Sequence, residues 1–248
     1  MNDRLIKKLK LLKQSKHRKV KNQFIAEGKR LVREAINCDN VVDLLFCTKT
    51  FYEKNKNNWQ EFLKVDSTMI QIITDSQFKK ISSTSTPSGI GAICNMPRSP
   101  YVDFKVREWI YLDKIRDPGN LGTILRSALW FGFKNIILSS ESVDPYNPKA
   151  IRSGMGSHFG LNLYKNIRLN DFIETHLIVS GSTIGEDISV LKLPESYVLV
   201  LGNEAHGISK NIEPLIQKSI SIKRLGEGES LNLSSAASIL MYSLTRKR

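Results

Sequence analysis

The stretch Val198–Ile208, VLVLGNEAHGI, decides the fold, because a run of strand-forming apolar residues ends abruptly in glycine, amide and carboxylate groups. Gly and Asn tolerate positive φ and often follow strands, so a plain turn explains Gly202 and Asn203. The alternative is a ligand that approaches bare backbone at the carboxyl end of a parallel strand, where open α/β sheets bind their ligands. Taken alone the stretch favours the turn, and the rest of the chain has to decide between the two interpretations.

Outward from this stretch, strand and helix patterns alternate along the chain and predict an α/β protein with two domains. Residues 1–96 are predicted to form a basic arm with a small α/β domain, 97–106 a linker that contains prolines, and 107–248 the second domain. The predicted strands are 23–28, 41–48, 69–74, 90–96, 108–115, 135–140, 176–182 and 197–202. The predicted helices are 3–20, 29–37, 51–64 and 75–82, which Asp75 is expected to cap, followed by segments after Asn120, near 150–154 and from Asn232.

The net charge of +13 on 248 residues indicates a polyanionic partner. Residues 1–33 alone carry twelve lysines and arginines against two acidic residues. This segment lacks the Trp- and Phe-rich apolar face of an interfacial membrane anchor. The charge pattern therefore favours nucleic acid over a membrane.

The cysteines and histidines exclude other classes of site. Cys38, Cys47 and Cys94 form no CxxC pair, and with no signal peptide at the start of the chain we expect a cytoplasmic location. The four histidines show no metal-ligand spacing, so we expect no metal. The longest uncharged run, 230–245, is too short and too polar to span a bilayer.

Three clusters in the second domain combine glycines with amide, hydroxyl or carboxylate groups. The first, 112–132, reads as a strand, a DPGNLG loop and a helix that carries Arg126; the start of this helix suits an anion, but an ordinary N-cap with a surface arginine fits equally well. No GxGxxG or P-loop pattern is present, so a dinucleotide or triphosphate site is not supported. The second cluster is the opening stretch, and the third, 220–240, holds Gly226 and Gly228 before a serine- and asparagine-rich helix start. Together, three such strand-to-loop junctions suit an adenosine-type ligand.

At these residues the sequence resembles a known family. NLGTILRSA (120–128), LVLGNEAHGI (199–208) and SLNLSSA (230–236) resemble the three motifs of the SpoU/TrmH family, and DPYNPKAIRSGMG (144–156) is similar to its middle segment. Residues 1–95 resemble the RNA-binding module, similar to ribosomal protein L30e, that precedes the catalytic domain in many members. The resemblance implies a ribose 2′-O-methyltransferase of the SPOUT class that uses S-adenosyl-L-methionine.

The resemblance also implies a fold and a set of site residues. The second domain is expected to be a parallel sheet threaded as a trefoil knot and to form a homodimer. The implied cofactor-binding residues are Gly202, Ile222, Leu231, Ser180, Gly181 and Gly207, with Gly202 kept free of a side chain that would collide with the cofactor. The implied catalytic residues are Arg126, Asn120, Glu204, Ser230 and Asn232. The predicted RNA-binding residues are Lys7, Lys8, Lys10, Lys13, Lys16, Arg18, Lys19, Lys21, Arg30 and Arg152.

The chemistry of these side chains narrows their roles. A guanidinium has a pKa above 12 and no acceptor atom, so we expect Arg126 to clamp a phosphate and stabilise a developing alkoxide rather than to act as a base. The other four catalytic residues would orient the ribose, with Glu204 or a water molecule as the proton acceptor. One departure is Lys223-Arg224, where many members have Pro-Met.

Three substrates or functions remain open at this point. The N-terminal module favours ribosomal RNA of the 23S type, and tRNA is the alternative substrate. A non-catalytic RNA-binding or ribosome-assembly factor is the alternative of another class.

Overall fold

The computed structural model describes residues 2–39, 41–55, 70–98, 100–190 and 192–246. These residues form two compact units, one of residues 1–98 with 144–159 and the other of 99–143 with 160–248. The segment 144–159 lies inside the predicted second domain in sequence but packs with the first unit. The predicted boundaries at 96 and 107 stay a prediction.

The elements are as follows in chain order. The helices are α1 (Asn2–Leu12), α2 (Ser15–Lys21), α3 (Lys29–Ile36), α4 (Lys49–Asn55), α5 (Asp75–Ile81), α6 (Pro118–Trp130), α7 (Pro148–Gly154) and α8 (Leu233–Thr245). The strands are β1 (Gln23–Glu27), β2 (Val42–Thr48), β3 (Ile70–Ile73), β4 (Ile90–Asn95), β5 (Glu108–Leu112), β6 (Asn135–Leu138), β7 (Asn162–Lys165), β8 (Leu177–Asp187), β9 (Tyr197–Leu201) and β10 (Lys218–Ser221). Short 3₁₀ turns lie at Ser157–Phe159, Leu169–Phe172 and Glu213–Leu215.

The first unit is built on a mixed sheet with the strand order β1-β4-β2-β3. The strand β4 is antiparallel to both neighbours, whereas β2 and β3 are parallel. Apolar residues of α1, Leu9 and Leu12, are fully buried with Phe46 and Phe78. The predicted strands of this unit are therefore confirmed.

Its helices differ from the prediction in three places. The predicted helix 3–20 is two helices, with a break before Ser15. The helix α5 is capped by Thr74 and not by Asp75, because Thr74 Oγ1 accepts from the Gln77 N–H (3.1 Å) while Gln77 Oε1 accepts from the Thr74 N–H (2.9 Å). The predicted helix 51–64 begins earlier, at Lys49, and its part from 56 onward lies outside the described residues.

The second unit has a sheet with the order β10-β8-β9-β5-β6-β7, in which every pair is parallel. This confirms the predicted parallel α/β sheet. Its core includes Trp109, Tyr164, Phe172, Val198 and Val200. The strands β7 and β10, each four residues long, were not predicted.

Parallel strands bring their carboxyl ends to one edge of the sheet, and this edge positions the three clusters. The residues 113–117 follow β5 and lead into α6, while 202–208 follow the neighbouring strand β9. The loop that precedes α8 begins where β10 ends. The helices α6 and α8 pack against each other, with Ser127 Oγ 2.7 Å from Ser238 Oγ.

Candidate active site

The first cluster is a helix start and not a loop as predicted. Asp117 is the N-cap of α6, since its Oδ1 accepts from the Asn120 N–H (2.8 Å), and Pro118 occupies the first turn. The N-cap alternative of the sequence analysis is therefore confirmed, with the helix beginning at Pro118, before the predicted start at Asn120. Asn120 is consequently in the first turn of α6, with its side chain free to reach the neighbouring loop.

The carboxylate of Glu204 lies in a cradle of N–H donors on the loop before α6. Its Oε1 accepts from Asn120 Nδ2 (3.1 Å) and the Asp117 backbone N–H (3.2 Å), and its Oε2 accepts from the Arg116 backbone N–H (3.3 Å). Burial by itself raises the pKa of Glu204, but the hydrogen bonds from Asn120 and from backbone N–H groups outweigh it and lower this pKa below its usual range. Glu204 is therefore an ionised anchor and a weak base.

Asn120 links this cradle to the third cluster. Its Oδ1 accepts from Asn232 Nδ2 (3.1 Å), and Asn232 Oδ1 in turn caps α8 by accepting from the Ser234 N–H (2.9 Å). The structure thus joins three predicted catalytic residues, Glu204, Asn120 and Asn232, in one hydrogen-bonded chain. Ser230 is exposed two residues before Asn232 and takes no part in the hydrogen bonds among the described residues.

Arg126 does not join this chain. It is the ninth residue of α6, so it lies roughly 12 Å along the axis from Pro118, which is slightly more than two helical turns. It lies about 120° around the helix from Asn120 and on the same face as Trp130, four residues later. Arg126 is exposed and makes no hydrogen bond or ion pair with another described residue.

The opening stretch forms a closed turn. Asn203 and Gly207 exchange two backbone hydrogen bonds, of 2.7 and 3.0 Å. A Cβ on Gly202 would meet the Gly207 carbonyl oxygen and the Ile208 nitrogen at 2.6 Å each. The absence of a side chain at Gly202 is therefore required by the chain itself. The predicted collision with a cofactor is not needed to explain it.

Two further predicted cofactor-binding residues lie in β8 and pack against neighbouring elements. Ser180 is buried within β8, which continues to Asp187 instead of ending at 182, and its Oγ lies 2.9 Å from Ser219 Oγ. A Cβ on Gly181 would meet Leu240 of α8 at 2.7 Å. Both positions thus have packing roles of their own.

The remaining predicted cofactor-binding residues are at least partly exposed. Gly207 has a φ of +66° and nothing within 4 Å of its Cβ position. Ile222, directly after β10, is half-buried, and Leu231 is 51% exposed. Arg224 folds back across its own loop, where Nη1 donates to the Gly228 carbonyl (2.7 Å), and Lys223 is exposed.

Most of the predicted RNA-binding residues are exposed on the first unit. Lys7, Lys10, Lys16, Lys19, Lys21 and Arg30 belong to this group. Lys8 pairs with Asp43 (3.1 Å), Lys13 donates to the Ser82 carbonyl (3.0 Å), and Arg152 donates to Ser83 Oγ.

Arg18 is a correction, because its side chain is buried within the first unit. It donates to Asp144 Oδ2 from Nε (3.0 Å) and Nη2 (2.7 Å), and its Nη1 donates to the carbonyls of Leu12 and Lys13. With its donors used inside the protein, Arg18 is unavailable to an RNA phosphate.

The described residues contain no group of three or more His, Cys, Asp or Glu side chains able to hold a metal ion. No helix in the described part of the chain is long and apolar enough to cross a membrane.

The geometry agrees with the comparison to known families. Residues 108–242 match the model of the SpoU rRNA Methylase family, and residues 3–92 match that of the MRM3-like substrate binding domain. Because the first match covers more than half of the chain, the protein belongs to the SpoU rRNA methylase family.

Relatives and solved structures extend this likeness over both units. The chain is 29% identical over 245 residues to the 23S rRNA (guanosine(2553)-2′-O)-methyltransferase RlmP of Bacillus subtilis, covering 96% of this chain and 95% of that protein. It is 33% identical over 175 residues to mitochondrial rRNA methyltransferase 3 of Xenopus laevis, covering 66% of this chain and 40% of that protein. A TrmH-family protein from Porphyromonas gingivalis has the same fold, with a TM-score of 0.82, 29% identity and coverage of 98% and 97%. The AdoMet-bound rRNA methyltransferase of Sinorhizobium meliloti has a TM-score of 0.79, 25% identity and coverage of 99% and 95%.

Proposed function

We propose that this protein transfers a methyl group from S-adenosylmethionine to a ribose 2′-hydroxyl in ribosomal RNA of the 23S type. The observation that carries the proposal is the chain Glu204–Asn120–Asn232, which brings one residue of each motif to the same edge of a parallel sheet. Family membership and the near full-length likeness to RlmP support the reaction and the substrate.

The residues at this edge fit the cofactor. Half-buried Ile222, exposed Leu231 and the open space beside Gly207 offer apolar side chains next to accessible backbone, which suits an adenosine group. When bound, S-adenosylmethionine supplies an electrophilic methyl group. Gly202, Ser180 and Gly181 would shape this site from beneath, and the knotted path of the chain remains part of the proposal.

The protein's own residues would act mainly by positioning. Glu204 fixes the Asn120 amide, and the paired amides of Asn120 and Asn232, with Ser230, would orient the ribose. The lowered pKa of Glu204 argues against it as the proton acceptor and favours water in that role. Arg126, a permanent cation without a partner among the described residues, would hold the adjacent phosphate and stabilise the developing alkoxide.

A second copy of the chain is proposed to complete each site. Next to Arg126, α6 and α8 present exposed apolar side chains, namely Leu129, Trp130, Ile239 and Tyr242, and Trp130 is 84% exposed. Exposed apolar side chains on two helices that pack together favour an interaction site. A homodimer through these helices would cover the patch and place Arg126 at the interface.

The first unit would dock the RNA through its exposed lysines. Contacts of this type read phosphates and weaken steeply with salt. A cytoplasmic location remains part of the proposal, supported by three cysteines that form no disulfide.

The test is transfer of labelled methyl from S-adenosylmethionine to unmodified 23S ribosomal RNA and, in parallel, to unmodified tRNA. Arg126→Ala is the active-site variant. Arg107→Ala is the matched control, because Arg107 is another exposed arginine of the second unit, in a surface pair with Glu195. We expect incorporation into 23S RNA that protects one linkage from alkaline cleavage, that is lost in Arg126→Ala and that is kept in Arg107→Ala.

Other outcomes have defined meanings. Incorporation into tRNA alone would move the substrate to the alternative class. RNA binding without incorporation into either RNA, by folded protein with excess cofactor, would contradict the enzyme and favour an assembly factor.

A further inference from the structure

Two hydrogen bonds, both donated from the segment after β9, tie this segment to the loop after β5. Asn203 Nδ2 donates to the Lys114 carbonyl (2.8 Å), and the Ser209 N–H donates to Asp113 Oδ2 (2.8 Å). Asp113 is 1% exposed, so the second bond is shielded from water. The two loops are thereby held in a fixed position relative to each other.

This arrangement depends on an unusual backbone conformation at Lys114, whose φ is +55°. The left-handed region is unfavourable for a residue with a Cβ by roughly 1–2 kcal/mol, so it persists only where surrounding contacts enforce it. Here the Lys114 N–H donates to Ser139 Oγ (2.8 Å), the Ile115 N–H donates to Ser142 Oγ (3.1 Å), and Asn203 holds the Lys114 carbonyl.

Lys114, with its positive φ, lies just before the residues that hold the Glu204 carboxylate. The next two donors along the loop are the N–H groups of Arg116 and Asp117, which both reach the Glu204 carboxylate. Asn203 has no capacity left for a ligand. Its Oδ1 accepts from the N–H groups of Ala205 (2.9 Å) and His206 (3.1 Å), and its Nδ2 donates to Glu204 Oε2 (3.5 Å) as well as to the Lys114 carbonyl.

We infer that Asp113 and Asn203 are positioning residues for methyl transfer. They hold the loop 113–117 in the position in which its backbone N–H groups bind the Glu204 carboxylate, and Glu204 in turn orients Asn120. Neither side chain touches the reacting groups in this role. The inference rests on the proposed function, since it assigns these residues to that same reaction.

The central variant is Asn203→Asp, which keeps the Oδ1 acceptor but loses the Nδ2 donations to the Lys114 carbonyl and to Glu204 Oε2. We expect kcat to fall by roughly 100-fold, the scale for misplacing a catalytic group by about 1 Å, while KM for S-adenosylmethionine changes little. Asn162→Asp is the matched control, because it removes a similar side-chain bond in the same unit (Nδ2 to Asn135 Oδ1, 3.0 Å) away from this loop. Equal kcat values for Asn203→Asp and Asn162→Asp would overturn the inference.

Asp113 is tested by a conservative pair. Asp113→Asn retains an acceptor oxygen for the Ser209 N–H and is expected to keep most of the kcat. Asp113→Ala loses this acceptor, and we expect its kcat to fall as far as that of Asn203→Asp. An Asp113→Ala enzyme with wild-type kcat would contradict the role.

A double-mutant cycle shows whether Asn203 acts through Glu204. In a Glu204→Gln background, we expect Asn203→Asp to lower kcat little further, because the interactions of the Glu204 carboxylate are already lost. If the kcat losses of the two single variants multiply in the double variant, Asn203 acts independently of Glu204 and the inference is wrong.

Hydrogen exchange gives a readout that does not need activity. We expect the Arg116 and Asp117 amides to exchange faster in Asn203→Asp than in Asn162→Asp, with thermal melting showing that both variants fold. Unchanged amide exchange in Asn203→Asp would overturn the positioning role of Asn203, even if the wild-type protein methylates no RNA. If the exchange pattern is as expected but the wild-type protein transfers no methyl group, only the proposed methyltransferase function is overturned.

Discussion

Gly202 and Gly207 are five residues apart in one turn, yet the structure requires them for different reasons. Gly202 is closely approached by the backbone of Gly207 and Ile208, whereas Gly207 has open space around it and a positive φ. Any side chain at 202 forces the turn apart, while a methyl group at 207 meets only the modest penalty of the left-handed region.

Gly202→Ala is therefore expected to destabilise the protein without any cofactor present. We expect a fall in Tm of several degrees for Gly202→Ala and a smaller fall for Gly207→Ala, measured by differential scanning calorimetry on ligand-free protein. A Gly202→Ala protein with wild-type Tm that fails only to bind S-adenosylmethionine would instead support the collision with cofactor.

His158 is the other residue with a clear individual signature. Burial lowers its pKa from 6.5 to about 4, against the opposing effects of the hydrogen bond between Nε2 and the Pro145 carbonyl (2.8 Å) and of the Asp144 charge. The folded protein thus holds the neutral imidazole, and the unfolded chain binds more protons below pH 6.5. The stabilising contribution of this neutral group is complete above pH 6.5 and is lost as the pH falls toward 4.

Nuclear magnetic resonance of the histidine side chains tests this directly. We expect the His158 resonances to stay at their neutral positions down to pH 5. A His158 midpoint near 6.5 would contradict the buried, neutral state.

At the scale of elements, the segment 144–159 is an integral part of the first unit. Its Asp144 pairs with buried Arg18, and its Tyr146 and Phe159 rings lie 4.9 and 6.0 Å from that of Phe24 in β1. The first unit therefore gets part of its core from residues far along the chain, inside the match to the SpoU family.

Asp144→Ala should be strongly destabilising, because it leaves the buried Arg18 guanidinium without its counter-charge. We expect a loss of roughly 3–5 kcal/mol in the free energy of unfolding, which urea denaturation would measure. The control is Glu195→Ala, which breaks the exposed pair with Arg107 and should change stability by less than about 1 kcal/mol. Similar small losses for both variants would show that the Arg18 pair is not buried in solution.

At the scale of the whole molecule, the exposed face of α6 and α8 predicts the assembly state. We expect the wild-type chain to sediment as a dimer, and Trp130→Glu to sediment as a monomer with much lower methyl transfer, because a charge would be buried in the interface. Tyr101→Glu is the control, since Tyr101 is 99% exposed but lies on neither helix. A monomeric wild-type protein, or a dimer that survives Trp130→Glu, would contradict the proposed interface.

The sequence by itself determined the class of fold and most strands, and it marked the loops in which the proposed site residues lie. Runs such as 197–201 are apolar over a length typical of a buried parallel strand, and three local motifs marked the loops that follow such strands. These are short-range properties, which neighbouring residues in the chain define. The short strands β7 and β10 escaped prediction because four residues carry too little pattern to separate a strand from a loop.

Only the tertiary structure decided which groups meet. The Glu204–Asn120–Asn232 chain joins residues more than eighty positions apart, and the burial of Arg18 depends on Asp144, 126 positions away. The basic pattern of 1–33 could not distinguish Arg18 from its exposed neighbours, because burial and pairing are set by what packs against a side chain. The same reason explains Gly202, whose need for a bare Cα comes from the returning backbone of its own turn.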